Sequence, residues 1–361
     1  MKSPMTQEQR YIKMTETPIS RLIPSLAIPT IISMLVTSIY NMADTFFVSR
    51  IGTSASAAVG VSYSLMSMIQ ALGFTLGMGS GNYLSRVLGS RDEEKAERIA
   101  STGFYSAILI GLLFAVVCLP NLDVLVRLLG ATDTIAPYAK DYAKYILIAA
   151  PVMTGSLAMN NLLRFQGLAV YAMIGITTGG ILNMILDPIF IFGLNLGISG
   201  AALATALSQC ISFGILFFQS LLRKDCVHLK PGKITLSLAL YGEILHGGIP
   251  SLCRQGIASI ATAALNLAAN PFGDAAIAAL SIVSRYMMFI GSAMIGFGQG
   301  FQPVCGFNFG AKRYDRVLES FWFCVKVSVV FLAVLAVGSF VGAPQIMRAF
   351  RKEDLDVIEI G

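Results

Sequence analysis

The chain has 361 residues, of which 55% are hydrophobic and only 13% charged, with a mean hydropathy of +0.71. A soluble domain carries about 25% charged residues, so the composition excludes a string of small soluble domains and points to an all-α polytopic membrane protein. In such a chain a net charge of +6 reflects loops rich in Lys and Arg, not nucleic-acid binding.

Residues 1–16 are polar, and the first apolar stretch is too long for the core of a secretory signal. About nine apolar spans follow, at 22–48, 54–80, 98–120, 136–159, 168–192, 198–222, 242–267, 274–299 and 318–342. Each is near the roughly 20 residues that a bilayer requires. Many contain closely spaced small residues, such as Gly73, Gly77, Gly79 and Gly81, which let membrane helices approach one another. With the N-terminus placed in the cytoplasm, 16 of the 26 Lys and Arg fall on the cytoplasmic side and 7 on the other. That bias predicts a multi-pass protein of the plasma (inner) membrane with a cytoplasmic N-terminus. The six cysteines are scattered without a CxxC spacing, so neither a disulfide nor a metal site is expected, and nothing calls for a cofactor.

The sequence repeats itself. Ala27-Ile28-Pro29-Thr30 matches Gly248-Ile249-Pro250-Ser251, and the Gly77–Gly81 cluster matches Gly296–Gly300. Each cluster is followed by a turn of Gly, a small residue and a base, Gly89-Ser90-Arg91 and Gly310-Ala311-Lys312. The offset of about 220 residues spans six helices, and an even number preserves orientation, so the repeats are parallel about an axis along the membrane normal. They divide the chain into a lobe at 1–222, a basic cytoplasmic linker at 223–241 and a partial second lobe at 242–361. The second copy stops after its third helix, so the sequence reads as nine of twelve helices, shortened at its C-terminus.

Two acids stand out because they lie well inside apolar spans: Asp44 in the first and Asp187 in the fifth. An acid in a span is costly unless it faces the protein interior, which makes it a candidate functional residue. Asn183 precedes Asp187 by one helical turn, and Asn41 shares a face with Asp44. Counting along the helices puts Asp44, Asp187 and Thr205 at one depth, roughly 8–11 Å below the outer surface. Carboxylates with amide and hydroxyl oxygens suit a hard cation such as Na⁺. Two buried acids held together equally suit carrying a proton. The bland alternative is that Asp187-Pro188 marks a helix kink.

At these residues the sequence resembles the multidrug and toxic compound extrusion (MATE) transporters. The resemblance is carried by Asn41-Met42-Ala43-Asp44-Thr45, by Asn183 with Asp187-Pro188, by Gly200-Ala201-Ala202 with Thr205, and by the two glycine-rich helix ends. It implies a two-lobed bundle of parallel six-helix repeats and a Na⁺- or H⁺-coupled antiporter that exports cationic amphipathic drugs by alternating access. Asp44, Asn183, Asp187 and Thr205 would bind the coupling cation, with Asn41 and Asn160 as candidate neighbours. Tyr40, Gln70, Asn266 and Gln299 are candidates for the substrate cleft, and Met66, Met68, Met287 and Met288 for an adaptable drug surface. A monomer in contact with lipid is expected, with small cationic organic substrates as its partners.

Two other functions compete. A flippase for lipid-linked substrates needs a cationic cleft, for which Arg254 and Arg285 are the candidates. An intramembrane enzyme needs a Ser/His dyad or a metal, and with His228 in the linker and His246 at a helix start no such constellation is available, so catalytic residues are not expected.

Overall fold

The computed structural model of the chain describes residues 6–223, 225–269 and 274–350, and among these every regular element is helical. The helices are α1 (Gln7–Glu16), α2 (Ile19–Ser49), α3 (Thr53–Gly89), α4 (Glu93–Cys118), α5 (Leu122–Leu128), α6 (Ala136–Phe165), α7 (Ala169–Pro188), α8 (Gly197–Leu222), α9 (Leu238–Ala269), α10 (Asp274–Gly310) and α11 (Tyr314–Phe350). Seven segments are long and apolar enough to cross a membrane: α2, most of α3, α4 continued by α5, α6, α7 with the turn after it, α8 and the first part of α11. α9 and α10, at 32 and 37 residues, also exceed the bilayer length.

α3 and α10 overshoot the spans read from the sequence by nine and eleven residues at the same end. Hydropathy stops where the residues turn polar, yet the helices continue because their glycines pack against each other. The turns that end them are superimposable in their bonding. Arg91 and Lys312, 221 positions apart, both hold left-handed backbone, with φ of 61° and 59°. The Arg91 amide donates to Leu88 and that of Asp92 to Val87; 221 residues on, Lys312 donates to Phe309 and Arg313 to Asn308.

The contact between the halves obeys the same offset. α3 packs on α9 and α10, and α2 on α10. A Cβ on Gly79 would lie 1.9 Å from the Ile244 carbonyl and 3.1 Å from the Gly248 nitrogen, while one on Gly300 would lie 2.5 Å from the Cα of Ala27. The positions 79 and 248 on one side correspond to 300 and 27 on the other. The counterpart of Gly79 is thus Gly300 and not Gly298, two residues later than the cluster alignment in the sequence suggests. Gly89 meets Phe307 and Gly310 meets Arg86 in the same exchanged way. Thr30 adds a hydrogen bond to the Gly296 carbonyl at 2.7 Å, and Ser38 one to Ser292 at 2.7 Å.

α1 begins with a capping box formed by Thr6 and Gln9, and it bridges both halves at this closed end. Arg91 pairs with Glu8 at 3.1 Å and lies over the Tyr11 ring. From the other half, Asn308, Arg313 and Arg316 donate to the carbonyls of Met14, Thr15 and Thr17. The segment between α8 and α9 is strapped along the first half. Val227 donates to Gln166 and Lys230 to Ser101, and Lys230 pairs with Glu97. Asp225, fully buried, takes a two-pronged bond from Arg223 at 2.8 Å and faces Arg10 at 3.9 Å.

Candidate functional site

Small residues on α7 decide what can stand beside it. Gly175 meets Leu216 of α8, Gly179 meets Ser212, and the Ser212 hydroxyl donates to the Gly175 carbonyl at 2.9 Å. One turn further along this antiparallel seam, the Asn183 amide donates to the Thr205 hydroxyl at 3.3 Å and to Asp187 Oδ1 at 3.2 Å. On the neighbouring side Gly180 lets Tyr40 of α2 approach, so that a Cβ there would be 2.9 Å from the ring. That approach carries Asp44, one turn beyond Tyr40, to the side of α2 nearest α7, and Asp187 lies within the electrostatic reach of Asp44.

The α7–α8 side of the cluster is buried, with Asp187 0% exposed, Asn183 2% and Thr205 4%, and Asp44 is half-buried. Its bonds are incomplete. Asp44 Oδ1, Asp187 Oδ2 and Asn183 Oδ1 are all buried and accept no hydrogen bond among the described residues. Orphaned buried polar atoms are rare and call for an explanation such as a proton, an ion or water. Here three oxygens of the types that ligate hard cations are left open, two on α7 and one on α2.

Asp187-Pro188 does mark a helix irregularity, since α7 passes into a π-helical turn at Ile189–Gly193. Such turns recur at functional sites. Gly200 at the start of α8 packs against the Phe190 backbone, with a Cβ placed 2.7 Å away, which anchors the turn. The kink and the site therefore coincide instead of competing.

Tyr142 of α6 belongs to the cluster and carried no sequence signal. It is fully buried, its hydroxyl faces Met66 Sδ at 3.8 Å, and it lies within hydrogen-bonding reach of Thr205 and electrostatic reach of both acids. A tyrosine in an apolar helix reads as packing unless the depth of its hydroxyl is known.

Asn160 lies elsewhere. Its amide donates to the Ala172 carbonyl at 3.1 Å, fifteen residues before Asp187 and about 22 Å down the helix. It ties α6 to α7 and is not a neighbour of the acids.

A cavity of about 260 Å³ adjoins the cluster and shares Asn183 and Thr205 with it. Tyr40, Asn41, Gln70 and Gln299 line it, as does Met288. Met68 and Met287 instead face outward, and Met66 packs against the core. The side chains of Asn266 and Arg285 lie outside the described residues. Asp44 and Asp187 do not line the cavity; Arg254 does.

Comparison with known proteins gives a consistent result. The family model described as MatE matches residues 29–189 and 250–361. The chain is 29% identical over 335 residues to the multidrug export protein MepA of Staphylococcus haemolyticus (strain JCSC1435), covering 91% of this chain and 72% of that one. Among solved structures, a MATE in complex with MaL6 superposes with a TM-score of 0.91 at 27% identity, over 97% of this chain and 78% of the other. A MOP superfamily transporter from Pyrococcus furiosus, whose binding pocket is described as reversed in polarity and suggestive of a different function, gives 0.87 at 30% identity, over 97% and 78%.

Proposed function

The chain belongs to the MatE family, and from that premise we propose that it is a cation-coupled antiporter that exports small amphipathic organic compounds by alternating access. One observation carries the reading: a buried acid on α7 and a half-buried one on α2, with an amide and a hydroxyl, leave three oxygens open beside a cavity. Na⁺ or H⁺ entering there neutralises charge that the low-dielectric surroundings penalise. It also draws α2 toward α7 across the Gly180–Tyr40 contact. The cavity shares that wall, so ion binding changes the space open to cargo. A ligand shifts an equilibrium only by its differential affinity for the two states, and the open oxygens supply that difference.

The Lys/Arg bias supports a cytoplasmic N-terminus. With that orientation the glycine seal and α1 close the cytoplasmic end, and the cavity lies on the outer side of the seal. The arrangement is then outward-facing, ready to release cargo and take up the ion. Cationic amphiphiles are the class that the family resemblance implies. Similar folds do not fix the charge of the cargo, since the Pyrococcus furiosus neighbour is described with a pocket of reversed polarity.

The test is ion flux in liposomes that contain the purified chain. Cargo should stimulate Na⁺ or H⁺ flux in the native protein, and Asp187→Asn should abolish the stimulation. Stimulated flux that survives the substitution would remove Asp187 from the mechanism.

A further inference from the structure

The charge on the cavity wall does not match a pocket built for simple cations. Arg254 of α9 is the one charged side chain among the described residues that line it, and no acid joins it. Asp44 and Asp187 are off the wall, Asp187 being bonded to Asn183, which lines it. The rest of the lining is neutral: amides from Gln70, Gln209 and Gln299, with Tyr40, Phe74 and Met288 providing apolar and aromatic surface.

Arg254 also differs from the chain's structural arginines. Arg164 donates to Asn161, Arg223 grips Asp225, and Arg313 and Arg316 hold the carbonyls of α1. Among the described residues Arg254 makes no hydrogen bond, ion pair or ring contact. Arg254 is exposed and opens onto the cavity, and an ionisable group on such a membrane cavity is a candidate marker of a ligand path. A guanidinium presents a planar fork that matches a carboxylate, sulfonate or phosphate.

We propose that Arg254 is the recognition residue for an anionic group on the cargo, so that the cavity selects zwitterionic amphiphiles over simple cations. The acid group pairs with Arg254, while the apolar body, and any cationic nitrogen it carries, lies against the amide and aromatic wall, where ring faces attract cations. The inference rests on the export reading and narrows its substrate class. It also separates two tasks that a shared acid would merge: the acids serve the coupling ion, and Arg254 serves the cargo.

The test uses rhodamine B, a zwitterion at neutral pH, and its ethyl ester, which keeps the cationic ring system but lacks the acid. Binding to the full chain in phosphatidylcholine vesicles is read by fluorescence anisotropy. The native protein should bind the acid at least about tenfold more tightly than the ester, as expected for one charge-assisted pair. Arg254→Gln should bring the two dyes within about twofold, with the ester bound no more weakly than by the native protein, and an unchanged unfolding midpoint shows that the cavity remains folded. Arg254→Lys, which keeps the charge and loses the fork, should retain part of the preference. Equal binding of the two dyes by the native protein, or a preference that survives in Arg254→Gln, would overturn the proposal. So would loss of the preference when phosphatidylglycerol replaces phosphatidylcholine, since Arg254 would then hold a lipid headgroup. Dye preference is read without an ion gradient, so its failure is distinguishable from loss of coupled flux in Asp187→Asn.

Discussion

The two halves of this chain share a backbone plan and differ in chemistry. Position for position at an offset of 221, they end α3 and α10 with the same left-handed turn and exchange the same glycine contacts. Yet Asp44 of α2 corresponds to Leu265 of α9, and Leu265 is exposed to the surroundings of the protein. The lesson is that the packed seam between the halves uses matching residues from both copies, whereas the acid at position 44 is not repeated at 265. Among the described residues, packing is common to the two halves, and the acid of α2 has an apolar residue as its counterpart.

The comparison breaks most sharply at that pair of positions. Asp44→Asn should weaken ion binding at least about a hundredfold, roughly 3 kcal/mol, read as the loss of thermal stabilisation by NaCl or by protons. Leu265→Asn, its counterpart, should change the same quantity less than about twofold. Equal effects would mean that the second half holds an ion too.

Next come the glycines. A methyl group at Gly79 or at Gly300 collides with backbone across the seal, and backbone cannot rotate away as a flexible side chain does. Gly79→Ala and Gly300→Ala should each destabilise the closed end by about 1–3 kcal/mol. They should do so to a similar degree, visible as a lower unfolding midpoint and as faster cross-linking of cysteines introduced behind the seal. A large effect at one position alone would contradict the exchanged geometry.

The smallest effect concerns the strap, which only the first half possesses among the described residues. Burial works against the charge on Asp225, but Arg223 and Arg10 hold its carboxyl below the ordinary range. A group whose folded pKa is depressed contributes stability above its unfolded value, about 3.9, and that contribution is lost as the pH falls through the lower folded value. Asp225→Asn should therefore cost about 2 kcal/mol at neutral pH, and the difference from the native protein should vanish below about pH 3. Burial, opposed by Cys226 and Asp225, also lowers the Arg10 pKa. Arg10→Met should then be nearly neutral, because removing a poorly satisfied buried cation spares its desolvation.

The membrane spans, the internal repeat and the two acids were legible in the sequence because each depends on hydropathy or spacing along one helix. Asn183, Asp187 and Thr205 do meet, since a four-residue step on α7 and the small residues facing α8 predetermine that seam. Tyr142 and the true place of Asn160 were not legible. Both depend on which turn of α6 stands opposite which turn of α7 and α8, and spacing within α6 says nothing of that. The overshoot of α3 and α10 escaped hydropathy for a related reason, as their ends are held by glycine contacts with another part of the chain. Arg254 was visible as a charge in a span, but only packing shows that it faces the cavity without a partner.

One consequence of α1 concerns the order of assembly. Its anchors Asn308, Arg313 and Arg316 lie 294 to 299 residues downstream of the carbonyls they hold. At a synthesis rate of about 5–20 residues per second, the first helix leaves the ribosome roughly 15–60 s before those anchors exist. Docking of the amino terminus is thus a late stitch, made only once α10 and the start of α11 have been synthesised.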